Sequence, residues 1–392
     1  MGRAVWREAR ADWRAVMVED VRSHFPILRE KVYLYSCSQG ALSDAVEEGM
    51  RQYACSWRTS SNPWEEWVGA YENLRREFAR FINAAPEEVA IVTSASAGIN
   101  PIASAISFSR RDRVVMGEYE FPTMGHIWLA QQARGAKIHF VDGVNHTVPV
   151  ERYAAAIDER TAVVALTQVS FLNGFRCDVS EITRIAHERG ALVFLDGFQD
   201  CGTRPIDVKA LGVDFYVTGT LKYLLGPAGL GFLYVRRELI ESLTPPVSSW
   251  MAQRDVFAYD TKRFDPALEA RRFEGGSPAI PNIYMARPAI ELLTRVGMEN
   301  VAARIATLAR AFQEGARDLR IESKTHAGSV GPLIVLRSKN AAEMVARLAA
   351  RGFVVSARRD GVRFSFHVYN SLEDVAATLR ALEENLDLME RM

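Results

Sequence analysis

Short apolar runs recur along the chain at 89–92, 113–117, 137–141, 162–166, 191–195 and 215–217, with amphipathic segments between them. Alternation of this kind predicts βαβ units and a largely parallel sheet. The run ALVFL at 191–195 is apolar at every position, as a strand covered on both faces must be. It follows an amphipathic helix predicted over 180–189 and closed by Gly190. Asp196 then stands at the carboxyl end of that strand, where open α/β sheets hold their ligands.

The flanks read differently. The stretch from Asp12 to about Glu30 predicts a helix, 32–35 a strand and 36–43 a turn-rich segment, which together suggest an entry arm over 1–35. Past Pro245, Pro246 and the GGSP turn at 275–278, helical patterning resumes at 290–293 and from Val301. A large domain over 36–284 and a smaller α+β domain over 285–392 are expected. The last helix should open on a capping box of Ser371 and Asp374 and present Val375, Leu379, Leu382 and Leu386 on one face.

With 392 residues, 48% of them hydrophobic, the chain can bury a core for about two domains. Lys plus Arg and Asp plus Glu both number 48, so no net field favours nucleic acid or an anionic membrane, and a small-molecule partner is expected. Cys37, Cys55, Cys177 and Cys201 lack the spacing of a zinc site or a disulfide framework, which suggests a reducing cytoplasm. His126, His146 and His326 have no metal-ligand spacing, and no metal is expected. The opening MGRAVWREARADWRAV has no continuous apolar core, and no later run is long enough to span a bilayer, so a soluble, unprocessed protein is expected.

Candidate chemistry centres on FYVTGTLKYLLGPAGLGFLYVR, which sets Lys222 between one buried-looking strand and a second, glycine-punctuated one. Alone, Lys222 is as readily a surface loop lysine as a functional one. Its companion is Asp196. Pyridoxal-phosphate chemistry needs an amine to hold the aldehyde as a Schiff base and a carboxylate to keep the pyridine nitrogen protonated. Four further segments read two ways. TSASAGIN at 93–100 is a plain helix cap or an anion site at a helix N-terminus. Phe121 in EFPT is core packing or a stacking face, and Arg363 is a surface strand residue or a carboxylate ligand. Asp196 in DGFQ is a turn cap or a cofactor partner, and only the second accounts for Gln199.

These motifs, in order from about Val32 to the C-terminus, resemble the class V aminotransferase family, which includes cysteine desulfurases, kynureninase and isopenicillin N epimerase. The resemblance implies the fold type I architecture of pyridoxal-phosphate transferases, α/β with a mainly parallel sheet plus a small α+β domain. It implies that Asp196 pairs with the pyridinium, Gln199 bonds the phenolic oxygen and Phe121 stacks on the ring. The Ser96 hydroxyl and the amides of Ser96 and Ala97 would face the phosphate, although the family has Thr where Ala97 stands. His or Tyr often precedes the family's lysine, whereas this chain has Leu221, and Thr220 is expected to take over the phosphate contact. Ser277 in RFEGGSPAIPN would reach the phosphate of a neighbouring subunit, which implies a homodimer. Arg363, in VRFSFHVYN, would bind the α-carboxylate of an amino-acid substrate.

Among the family's reactions, a desulfurase needs a nucleophilic thiol on a flexible loop before the arginine, and SARRDGV at 356–362 is short and holds no cysteine. That activity is not expected. A lyase such as a carbon–sulfur lyase on a cysteine conjugate leads, followed by an aminotransferase. A kynureninase-like hydrolase or an epimerase comes after. A binding protein that kept the fold and lost its chemistry is the reading from another class, and intact Lys222 and Asp196 oppose it.

Overall fold

The computed structural model describes residues 18–328 and 331–392, so the start of the expected first helix, at Asp12, lies outside the described residues. Its visible part is the helix Val18–Ser23. The chain then enters β1 (Val32–Tyr33) and two long helices, Asp44–Thr59 and Trp64–Phe81.

The central sheet has seven strands: β2 (Val89–Val92), β3 (Arg113–Gly117), β4 (Lys137–Val141), β5 (Thr161–Thr167), β6 (Leu192–Asp196), β7 (Phe215–Gly219) and β8 (Gly231–Val235). Their order is β2-β8-β7-β6-β5-β3-β4. Each apolar run of the sequence falls on one of them. Neighbours from β7 to β4 pair in parallel, whereas β8 runs antiparallel to both β7 and β2. The reason is length: the 220–230 connection is too short for a crossover helix, and only an antiparallel return can close it.

Burial on both faces explains the unbroken apolar runs. Along β6, Val193 and Leu195 join one core and Phe194 the opposite one, as the two-residue period of a strand requires. The helix before β6, Val179–Glu188, is capped by the Asp178 carboxylate on Glu181 N at 3.2 Å.

The helix Ile280–Val296 runs unbroken through residue 285 and packs against Asp44–Thr59. The chain turns instead at Gly297, whose φ of +86° suits a residue without Cβ. Beyond it, the helices Met298–Asp318, Ala341–Ala350 and Leu372–Glu383 accompany β9 (Leu333–Arg337), β10 (Phe353–Val354), β11 (Ser356–Arg358) and β12 (Gly361–Ser365). Strands β11, β12 and β9 form an antiparallel sheet in that order, and β1 pairs in parallel with β10. The entry arm is therefore stitched to the C-terminal part of the chain. Ser371 and Asp374 form the expected capping box, each accepting the other's amide at 3.1 Å, while Leu386 falls past the helix in a short turn. Among the described residues no helix is long and apolar enough to cross a membrane.

Candidate functional site

Three layers meet around Lys222: the carboxyl ends of β6 and β7, the arm at 35–40, and the inward face of the β9–β12 sheet. Arg363 and Ser365 alternate with Val362 and Phe364, which enter the C-terminal core. Leu333 and Val335, the cross-strand partners of Ser365 and Arg363, join Cys37 and Tyr223 in a separate small cluster. That cluster seals the seam behind the site.

Lys222 follows β7 in a loop held on all sides. Gly40 N donates to Leu221 O at 2.8 Å, Gly226 N to Thr220 O at 2.9 Å, and the His367 ring nitrogen Nε2 lies 2.8 Å from Tyr223 O. At Gly40 a Cβ would come within 2.4 Å of Lys222 O, so the arm can lie this close only because the residue is glycine. The Lys222 ammonium stands 4.4 Å from the Phe198 ring centroid and 5.5 Å from that of Phe121. Burial pulls its pKa down to about 8. Asp196 and Cys37 oppose that shift, and Arg363 and Arg358 add to it.

Asp196, 6% exposed, ends β6 and accepts Phe198 N at 2.8 Å. Burial raises its pKa, against the pull of the Phe198 amide and of Lys222. Gln199 is buried beside it. Its Nε2 donates to Cys37 O at 2.9 Å, and its Oε1 is buried without a partner. An orphaned amide oxygen at that depth marks a place where a polar group belongs.

The helix Ala95–Ala105 points its N-terminus toward the same ends of the sheet, and Ser96 Oγ lies 3.5 Å from Thr123 Oγ1 next to Phe121. Phe121 is 40% exposed and meets Phe171 edge-on at 5.0 Å, so one face remains open. Two of the expected phosphate contacts meet partners within the chain. The Ala97 amide donates to the Ser94 hydroxyl at 3.1 Å, as in a helix cap. The Thr220 hydroxyl is fully buried and donates to Pro227 O at 2.5 Å.

Arg363, 1% exposed, is fixed by three acceptors: Ser356 Oγ at 3.0 Å, Phe171 O at 2.9 Å and Ser38 Oγ at 2.7 Å. None of the three is charged. A guanidinium buried without a carboxylate is prepared for an anionic ligand. Ser277 is exposed on the turn before the helix Ile280–Val296. That turn is anchored by Glu274, whose carboxylate accepts Arg75 NH1 at 2.5 Å, Ile91 N at 2.8 Å and Tyr71 OH at 2.5 Å. A cavity of about 370 Å³ separates the turn from Thr93, Ala97 and Asn100.

Several site residues carried no signal in the sequence. Glu120 is one: its carboxylate accepts Thr167 N at 3.1 Å and bonds Thr167 Oγ1, and burial raises its pKa to about 8, with Asp196 adding to the rise. It stands next to Phe121 in EFPT, the only hint available. Cys37, Ser38 and Ser356 come from the arm and from β11, and only the fold brings them to Lys222 and Arg363.

Comparison with known proteins matches residues 36–378 to the aminotransferase class-V family. An uncharacterised aminotransferase of Bacillus subtilis, YcbU, is 32% identical over 360 residues, covering 91% of this chain and 95% of the relative. A probable cysteine desulfurase of Pyrococcus abyssi is 28% identical over 400 residues, covering 93% and 97%. The apo structure of a cysteine desulfurase from Thermococcus onnurineus superposes with a TM-score of 0.86 at 25% identity, over 94% of this chain and 98% of that one. The motif order, the sheet topology and these matches agree: the chain belongs to the aminotransferase class-V family.

Proposed function

We propose that this protein is a pyridoxal-phosphate enzyme that acts on an α-amino acid and breaks a carbon–sulfur bond at its β-carbon. The reading rests on one observation: a lysine amine held near pKa 8 lies beside a buried carboxylate, facing a guanidinium that has no acidic partner among the described residues. The residues fit the cofactor. Lys222 would carry it, Asp196 would keep a proton on the ring nitrogen, and the second N–H of Gln199 would meet the phenolic oxygen. Phe121 would cover one face, and Ser96 with the leading amides of the helix Ala95–Ala105 would take the phosphate. When bound, pyridoxal phosphate supplies an aldehyde for the amine and a ring that accepts an electron pair.

The chain's own groups do the rest. Arg363 fixes the α-carboxylate, which leaves the Cα–H bond facing Lys222. The Lys222 amine then takes the Cα proton, the pair left at Cα forms the Cα=Cβ bond, and the sulfur at Cβ departs with the carbon–sulfur bonding pair and is protonated to a thiol. Sulfur transfer to a protein thiol is a weaker reading here, although relatives bear the name cysteine desulfurase. The β11–β12 connection is a two-residue turn at Arg359 and Asp360, and Cys37, next to the site, is 1% exposed. Transamination is the second reading, favoured by the relative named as an aminotransferase. For the exposed Ser277 we propose contact with a second copy of the chain. Val247, Phe257 and Tyr259, all exposed in the segment before that turn, supply apolar surface for such a dimer.

The holoenzyme should release a keto acid, ammonia and a thiol from S-substituted cysteines, measured by product analysis across an amino-acid panel. Amino-group transfer to an added keto acid with no thiol release would replace the lyase reading by the transaminase one. The depressed lysine makes a separate prediction. Aldehydes react with the neutral amine, and half of Lys222 is neutral near pH 8 rather than 10.5. Capture of pyridoxal phosphate by the apoprotein should therefore accelerate with a midpoint near pH 8 and level off above about pH 9. Stopped-flow absorbance showing a midpoint above pH 10 would describe an ordinary solvated lysine.

A further inference from the structure

The β11–β12 hairpin carries a second arginine whose position the reaction above leaves unused. Ser356 pairs with Arg363 and Arg358 with Gly361, so Ser356, Arg358 and Arg363 project from one face. Ala357 and Val362 point the other way, into the C-terminal core. The bond from Arg363 Nε to Ser356 Oγ at 3.0 Å fixes that shared face as the one toward Lys222. Arg363 is its buried inner member, and Arg358 is the exposed outer one at the hairpin tip.

Arg358 has no carboxylate within ion-pair distance among the described residues, and its NH1 donates to the neighbouring Ala357 O at 2.7 Å. The acid of the hairpin turn is taken: Asp360 binds Lys324 at 2.5 Å and Arg337 at 3.5 Å. Meanwhile the Arg358 charge is felt at Lys222 and at Arg363. Lys222 has Asp196 beside it, whereas Arg363 and Arg358 face the cleft with no carboxylate in ion-pair distance among the described residues, and one α-carboxylate answers only one of the two guanidiniums.

We infer that Arg358 binds an anionic group at the far end of the substrate side chain, so that the substrate class is α-amino acids carrying a second acid. This rests on the reading of Arg363 as the α-carboxylate ligand. Arg358 stands two strand residues from Ser356, roughly 6–7 Å along β11, a span that a side chain of three to five atoms covers. Guanidinium geometry suits a terminal carboxylate or sulfonate through paired N–H donors.

The test compares two ligands of equal shape, S-carboxymethylcysteine and its amide S-carbamoylmethylcysteine, on the holoenzyme. Affinity is read from the change in the cofactor's visible spectrum, and turnover as kcat/KM. The wild type should prefer the acid by at least about 10-fold, as loss of a charge-assisted hydrogen bond implies. Arg358→Gln should bring that ratio close to one, and Arg358→Lys should keep part of it. A wild type with no preference, or an Arg358→Gln ratio equal to the wild-type one, overturns the inference while leaving the amino-acid enzyme intact. If neither ligand, nor glutamate nor glutamine, alters the spectrum, the proposed function itself fails and the inference falls with it.

Discussion

Replacing Lys222 with alanine is expected to lower kcat by at least about 10⁴-fold, because one amine both holds the cofactor and carries the Cα proton. Four decades correspond to about 5.5 kcal/mol of barrier. Lys222→Arg should fare no better: it keeps the charge that Asp196 faces but has no amine able to add to an aldehyde, and it stays protonated at every accessible pH. The assay is steady-state turnover of whichever S-substituted cysteine the wild type cleaves best. Borohydride reduction followed by peptide mass spectrometry supplies an independent readout, since the pyridoxyl mass should sit on the peptide bearing Lys222 and vanish in both variants. A reduced adduct on another lysine, or an alanine variant retaining a tenth of wild-type turnover, would remove Lys222 from the chemistry.

Glu274→Ala should cost about 3–5 kcal/mol of stability, the range for removing one partner of a buried ion pair. Arg75 and Glu274 are 2% and 3% exposed, and the carboxylate also accepts Tyr71 OH and Ile91 N. Alanine would leave those donors facing a void and the guanidinium short of its nearest anion. Arg75 keeps Val89 O at 2.7 Å and Glu72 at 2.9 Å, so the loss should fall toward the lower end of that range. Equilibrium urea denaturation followed by circular dichroism measures it. Glu188→Ala, which breaks an exposed pair with Arg184 one helical turn away, is the control at about 0–1 kcal/mol. Equal costs for the two variants would mean that the Glu274 network does not hold the turn before Ser277.

How far the sequence revealed this arrangement depends on how local each signal was. Strands β2 and β3 begin and end where the apolar runs do, because burial on both faces leaves the run itself as the signature, whereas the edge strand β4 matches its segment with Lys137, His139 and Phe140 exposed. Asp196 and Lys222 were legible as a pair because one ends a strand and the other lies in the loop just past the neighbouring strand of the same sheet. The bond from the Thr220 hydroxyl to Pro227 O was not legible, because the pull of loop carbonyls on a hydroxyl is invisible until the loop closes. The bond from the Ala97 amide to the Ser94 hydroxyl is a local cap of the kind the sequence allowed. Glu120 and Ser38 stayed hidden because their importance comes from partners distant in sequence, such as the 325-residue separation of Ser38 and Arg363. The turn at Gly297 was not legible, since nothing about a single glycine after an apolar run distinguishes a turn of the chain from a pause in the helix.

The motif at 362–370 spends most of its polar groups on the arm. Ser365 Oγ donates to Leu34 O at 3.0 Å and accepts Cys37 N at 3.0 Å, Tyr369 OH meets Ser36 Oγ at 2.5 Å, and Asn370 Nδ2 donates to Tyr33 O at 2.9 Å. Residues 33–40 are synthesised more than 320 residues before the groups that receive them. At a synthesis rate of about 5–20 residues per second, the arm waits on the order of 20–60 s for its docking partners. Through that interval the β6 and β7 ends, Lys222 included, can already be in place while the pocket has no far wall. Completion of the site is thereby tied to the arrival of residues 363–370, and a polypeptide that stops short of them would carry the lysine without the means to hold an amino acid against it.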